Sequence, residues 1–329
     1  MLKNKKQLPK KIPKIVKEIQ KNPPQGVNFA YQKNISYSQM SLFRACPHRW
    51  KLQYKDKIKV FTSSIHTVFG TSIHETLQHY LDIMYNKSAS EADKIDLEDN
   101  FQTNFINEYQ KQYKSNNNEH FSSAEEMREF FEDGVAILNW FKKKRSKYFS
   151  KRGWHLVGCE IPLIIAPNKM YNNILYTGYL DVVLYNENTE EFKIIDIKTS
   201  TRGWKERDKK NEDKQFQLLL YKQFFAEQYH VSIDKINIEF FIVKRKVLEW
   251  DDDNIKSPHQ AYRVQLFQPP SGKIKLSRAN KAIQDFIKEC FVSSGEIKEI
   301  NYPKSPSKWN CGFCPFKEDL SLCGEGLKF

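Results

Sequence analysis

The chain has 329 residues, is 40% hydrophobic and 14% aromatic, and carries a formal net charge of +13. That is ample apolar material for one large domain or two small ones, and the basic balance suits a polyanionic partner, nucleic acid first, over an inert basic surface. No apolar run approaches the ~20 residues that span a bilayer, and neither a secretory h-region nor a G-x-x-x-x-G-K-[S/T] phosphate loop occurs, so the expectation is a cytoplasmic chain without a membrane anchor or a motor of its own.

Residues 1–30 are Lys-rich and broken by prolines, and read as a flexible basic arm that adds affinity for phosphates, or as a solvated tail. Ile12, Ile15, Val16 and Ile19 hold helical spacing inside it. The main domain is expected over 31–329. Ser38 as N-cap opens a helix through Leu42 and Phe43, broken at Cys46-Pro47. Cys46 by itself reads as a small buried apolar side chain. Phe69 to Met84 is a helix, with Ile73, Leu77, Tyr80 and Leu81 on one stripe and His74 beside it.

Residues 86–150 are polar, and predict a helical insertion with helices over Asp96–Tyr113 and Ser123–Tyr148. Lys142 to Arg145 form a basic cluster, either the lining of a DNA channel or a solvated helix end. His155 to Ala166 is the first core strand; Glu160 is its one charge, and Pro162 suggests an edge or a bulge.

Tyr176 to Ser200 predicts two strands joined at the polar turn Asn186–Thr189. Period 2 puts Asp196 and Lys198 on one face, and pairing brings Asp181 toward it. Two carboxylates and one ammonium in a partly dry place suit Mg²⁺ or Mn²⁺ and phosphodiester hydrolysis; a buried ion pair is the plain alternative.

Beyond the hairpin, Trp204 among Arg202, Lys205, Arg207, Lys209 and Lys210 reads as a stacking site for single-stranded nucleic acid or as a surface loop. A helix from Asp213 to Tyr229 carries Gln217 and Tyr221, four apart and facing the same way. Ile236–Val247 and Tyr262–Phe267 are further strands, flanking an acidic turn at Asp251–Asp253. Leu276 to Phe291 is the last long helix, with Ala279, Ile283, Phe286 and Ile287 inward. At the C-terminus Cys311-x-x-Cys314-Pro315, followed by Cys323, has the spacing of metal ligands.

In this order, G-Y-L-D (Gly178, Asp181), D-I-K-T (Asp196, Lys198) and Q-L-L-L-Y (Gln217, Tyr221), preceded by G-T-S-I-H ending at His74, resemble the PD-(D/E)xK nuclease superfamily and its RecB-like domains. The resemblance covers about Ile35 to Cys323. It implies an α/β fold, a mixed central sheet of the restriction-endonuclease type flanked by helices. It implies Asp181 and Asp196 holding Mg²⁺ or Mn²⁺ with His74 and the Ile197 carbonyl, and Lys198 orienting water or stabilising charge. Gln217 and Tyr221 support them, and Glu160 is a secondary candidate near the metal.

In the cluster-bearing subgroup a [4Fe–4S] cluster staples the chain ends, which assigns Cys46, Cys311, Cys314 and Cys323; Zn²⁺ is the alternative. The eight residues between Cys314 and Cys323 exceed the family's usual spacing, which brings in Cys290 as a substitute. The activity implied is a DNA exonuclease for recombination, repair or phage DNA processing, acting on single-stranded ends with a helicase or recombinase. A structure-specific or RNA-directed endonuclease and an inactive DNA-binding protein are the rivals. High Lys, Asn and Ile content fits an AT-rich genome such as a phage's.

Overall fold

The computed structural model describes residues 12–58, 60–61, 64–248 and 262–324; Asp251–Asp253 and the start of the basic arm lie outside these. Among the described residues, six strands form one mixed sheet: β1 (Lys33–Ile35), β2 (Trp154–Ile165), β3 (Ile174–Asn186), β4 (Glu191–Ser200), β5 (Ile236–Lys244) and β6 (Val264–Phe267). β2, β3 and β4 make an antiparallel meander, β5 joins β4 in parallel, and β6 closes antiparallel on β5. Both faces of the centre are buried. Phe240 and Ile242 of β5 face one core and Phe241 and Val243 the other, which is why this strand reads as a nearly unbroken apolar run.

Helices cover both faces. α1 (Lys14–Lys21), α2 (Tyr37–Ala45) and α3 (Pro47–Trp50), which continues as a π-helical turn over Lys51–Lys55, lie on the first face. The second is covered by α4 (Ile65–Asn86), α5 (Ala89–Asp93), α6 (Leu97–Ser115) and α7 (Ala124–Lys144). α8 (Glu206–Lys210) and α9 (Glu212–Gln228) connect β4 to β5, α10 (Lys273–Cys290) packs beside α9 and α2, and α11 (Lys308–Gly312) precedes the C-terminus. α6 and α7 start where side-chain oxygens replace missing helical acceptors. Asp96 accepts from the amides of Glu98 and Asp99, and Ser123 from that of Glu126.

Two expectations change. The helix after β1 is capped by Ser36, whose Oγ accepts from Gln39 N at 3.3 Å, and Ser38 lies inside it. The boundary at residue 30 dissolves, because α1 is docked rather than free. Val16 and Ile19 are buried against β2, and Gln20 Nε2 donates to Val157 O at 3.1 Å. The helices of the 86–150 segment join α4 in the second core, where Phe141 and Phe149 meet Phe241 of β5.

The middle of β3 decides where a site can form. One edge pairs with β2 from Tyr176 to Asn186. The other pairs with β4 only over Val182–Asn186 and with β1 only over Ile174–Tyr176. Residues 177–181 therefore face a gap between two diverging strands. Opposite, Glu160 adopts a left-handed φ of 52°. Alternation breaks there: Cys159 and Ile161, two apart, pack into opposite cores, as do Val182 and Leu180.

Packing in the second core is tight enough to reverse a propensity rule. Alanine is the better helix former by about 1 kcal/mol, yet a Cβ on Gly134 would collide with the fully buried Phe101 ring. Gly134→Ala should destabilise the protein by about 1–3 kcal/mol in urea unfolding; a stabilised variant would show that the ring yields.

Candidate active site

The gap in β3 is filled by side chains. Asp181 stands one step past the last β3–β4 pair, and its Oδ2 accepts from Ile197 N at 2.7 Å, taking the place of a strand carbonyl. Asp196, 1% exposed, follows on β4, and Lys198 Nζ lies 2.6 Å from its Oδ2. From the second helical layer α4 brings His74, whose Nδ1 is 3.6 Å from Asp181 Oδ2. From the first layer α9 brings Tyr221 and Gln217, with Gln217 Nε2 donating to the Tyr221 hydroxyl at 3.2 Å. Helices on opposite faces thus reach one point through the opening in the sheet.

Two glycines make that approach possible. A Cβ on Gly178 would stand 2.9 Å from Cε1 of Tyr221, so the glycine of G-Y-L-D is room for the helix tyrosine. A Cβ on Gly70 would stand 3.1 Å from Thr199 Oγ1, which sets how closely α4 lies on β4.

Charge is confined here at a cost. Burial, then the neighbouring Asp196, pushes the Asp181 carboxyl well above its usual range, against the pull of Lys198 and the Ile197 amide. Burial also raises Asp196, with Lys198 opposing. Burial pulls the Lys198 ammonium down, but the Asp196 carboxylate outweighs it and holds the amine above its ordinary value, so it is a cation at neutral pH. Burial and then Lys198 lower His74 to about 4, leaving a neutral imidazole. Burial, then Asp196, raises the Tyr221 phenol, which stays a hydrogen-bonding hydroxyl.

One member escaped the sequence reading. Gln78, buried on α4, donates to Glu160 Oε1 at 2.6 Å and to the Asp181 carbonyl at 3.0 Å. Its signal was the spacing of four from His74, which places both on one helical face. Glu160 itself is exposed at the rim.

Among the described residues, no group of three or more His, Cys, Asp and Glu side chains converges closely enough to hold a metal ion. In this arrangement Lys198 engages Asp196 and the Ile197 amide engages Asp181. The donor set nevertheless fits a hard divalent cation. Two buried carboxylates are held near each other at raised pKa, and such an ion would relieve their repulsion while keeping waters in its shell.

A family model described as the PD-(D/E)XK nuclease superfamily matches residues 34–319. The chain belongs to this superfamily. No curated protein matches it. The match leaves α1 outside, and the mixed sheet flanked by helices is the fold expected of PD-(D/E)XK nucleases.

The segment around Cys46 meets the C-terminal residues 310–323. Cys46, Cys311, Cys314 and Cys323 line one cavity together with His48 and Arg49, and none is in a disulfide. Asn310 Nδ2 donates to Ala45 O at 2.7 Å, and His48 Nε2 lies 2.8 Å from Leu322 O. Burial raises the Cys314 thiol, and the nearby Cys323 and Cys46 push the same way against the Phe316 backbone and Arg49. Cys290 is elsewhere, fully buried at the end of α10. Four soft sulfurs around one space suit a thiophilic ion or cluster, although their present spacing is not that of a formed metal site.

Trp204 does not offer a free face. It packs 4.8 Å from Phe240 between ring centres, and Lys214 covers it at 5.2 Å. The basic cluster on α7 is partly spent: Lys142 donates to Ile95 O, and Arg145 pairs with Asp93 at 2.9 Å.

Two outcomes test the buried charge and the close approach. With its folded pKa above the unfolded value, ionised Asp181 opposes folding at pH 7, and that opposition fades as pH falls through the folded pKa. Asp181→Asn keeps an oxygen for Ile197 N, so the metal-free variant should melt about 2 °C or more above wild type at pH 7, the gain shrinking in acid; a lower Tm at pH 7 rejects the buried-charge explanation. Gly178→Ala should cost about 1–3 kcal/mol, and less than half of that in a Tyr221→Ala background. Equal costs in both backgrounds would mean that the ring is not what the glycine accommodates.

Proposed function

We propose that the chain is a Mg²⁺- or Mn²⁺-dependent deoxyribonuclease of the RecB-like type, an exonuclease that hydrolyses phosphodiesters at DNA ends. The observation that carries the reading is the meeting of Asp181, Asp196, Lys198 and His74 at the gap in β3, with Lys198 held as a cation beside two buried carboxylates. A buried ion pair kept only for stability is a poor alternative, because such pairs gain little over apolar packing.

Asp181, Asp196 and neutral His74 would hold the ion, with the Ile197 carbonyl beside them. The ion supplies an activated water and a Lewis acid at the scissile phosphate. Lys198, as an ammonium, donates to the attacked phosphate and offsets the charge that grows on its oxygens. Beside Asp196, Lys198 would also be placed to orient the attacking water. Tyr221 and Gln217, joined by their hydrogen bond, offer donors on the opposite wall of the cleft. The net charge of +13 supports a polyanionic substrate. With no phosphate-loop motif in the chain, strand opening falls to a partner helicase or recombinase.

The four cysteines complete the proposal as ligands of a [4Fe–4S] cluster that ties Cys46 to the C-terminal segment, with Zn²⁺ as the alternative. Iron and zinc analysis of anaerobically purified protein, with loss of the metal in Cys46→Ser, separates the two.

End-labelled linear DNA and closed circular DNA, each with Mg²⁺ or Mn²⁺, test the activity. Cleavage of linear DNA only, reduced about 100-fold or more by Lys198→Ala, is the expected result. Nicked circles would make the protein an endonuclease, and DNA bound but never cut by folded protein would sink the enzyme reading.

A further inference from the structure

The stacking role denied to Trp204 has a better candidate a short way along the same surface. Arg207 of α8 lies with its guanidinium carbon 4.4 Å from the centre of the Trp309 ring on α11. Trp309 is 71% exposed, and Phe313, four residues on, is 92% exposed. Large aromatic rings left in water within one short stretch mark a surface that covers something.

The charge around them is one-sided. Arg202, Lys205, Arg207 and Lys210 are exposed, and none forms an ion pair with a described residue. Their neighbours Lys209 and Lys214 are neutralised by Glu206 and Asp208, each at 2.7 Å. This surface is also tied to the cleft on both sides. β4, which carries Asp196 and Lys198, runs straight into the loop before α8. α9, which carries Gln217 and Tyr221, holds α8 through Gln215 Nε2 and Lys209 O at 2.5 Å.

We propose that Trp309 and Phe313, with Arg207, Lys205 and Lys210, form a stacking platform for single-stranded DNA that delivers one strand to the gap in β3. Exposed rings decide between forms of DNA. Bases in a duplex are stacked on each other and offer only their edges, whereas an unpaired strand offers faces to aromatic side chains and phosphates to the cations beside them. The cations argue equally against an apolar protein partner, which would leave them unpaired.

The inference rests on the deoxyribonuclease reading, so binding is measured apart from cleavage, on the full chain in a Lys198→Ala background without added metal. The probes are a fluorescein-labelled oligothymidylate and a blunt duplex of equal length, followed by anisotropy. Trp309→Ala and Phe313→Ala should each weaken single-strand binding about tenfold. Duplex binding should change less than about twofold, and Trp309→Phe should restore most of the loss because a π-face remains. Both rings are solvent-exposed, and an unchanged Tm confirms that the variants fold. Unchanged single-strand affinity overturns the platform and leaves the rings to a protein partner; equal loss for duplex and single strand overturns it too. Wild-type cleavage combined with indifferent ring variants removes this inference alone, whereas ring-dependent binding without wild-type cleavage removes the nuclease reading alone.

Discussion

The structure turns on one missing stretch of strand pairing. β3 is long enough to engage β1 at one end and β4 at the other, on the same edge, and the two leave residues 177–181 without a strand partner on that edge. An unpaired amide in a buried sheet is costly, and the Ile197 amide finds its acceptor in the Asp181 carboxylate. That bond fixes the carboxylate in place, and the same gap admits His74 from one helical layer and Tyr221 from the other. The left-handed Glu160 on β2 lies opposite, where the pleat inverts. Strain of this kind costs on the order of 1 kcal/mol and persists only where surrounding packing enforces it.

The electrostatics follow from the same gap. A site open to both faces of the sheet is still mostly dry, so burial raises both carboxyls, Asp196 pushes Asp181 up further, and one ammonium stands in as their counter-ion. Lys198 is therefore part of what lets the carboxylates stay together before any metal arrives. Substitution of Lys198 affects charge balance as well as chemistry, and its effects on stability and rate need to be read separately.

Much of this was legible in the sequence. Alternation and the polar turn predicted the β3–β4 hairpin, and period 2 placed Asp196 and Lys198 together. Helical spacing put Gln217 and Tyr221 on one face, now seen bonded to each other. The gap itself left no local trace, since it arises from where β1 and β4 diverge, and β1 is only Lys33–Ile35. Gln78 was missed because glutamine on a helix has no distinctive pattern until its partners are known. Trp204 was misread for the opposite reason: its basic neighbours look like a binding loop, while contact with Phe240 and Phe267, distant in sequence, turns the ring inward. Cys46 and the C-terminal cysteines share a cavity, yet nothing in their spacing told how far apart their sulfurs would stand.

The docking of α1 changes what β2 presents to its surroundings. Among the described residues β2 pairs only with β3, so its outer side is the rim of the sheet. Such rims present free carbonyls and amides that recruit strands from other molecules. α1 lies along this rim, and the Gln20 side-chain amide occupies the carbonyl of Val157. The side chain thereby takes a carbonyl that a neighbouring strand could otherwise use. Trimming the chain to the span that defines its family would remove both this bond and the burial of Val16 and Ile19 against β2.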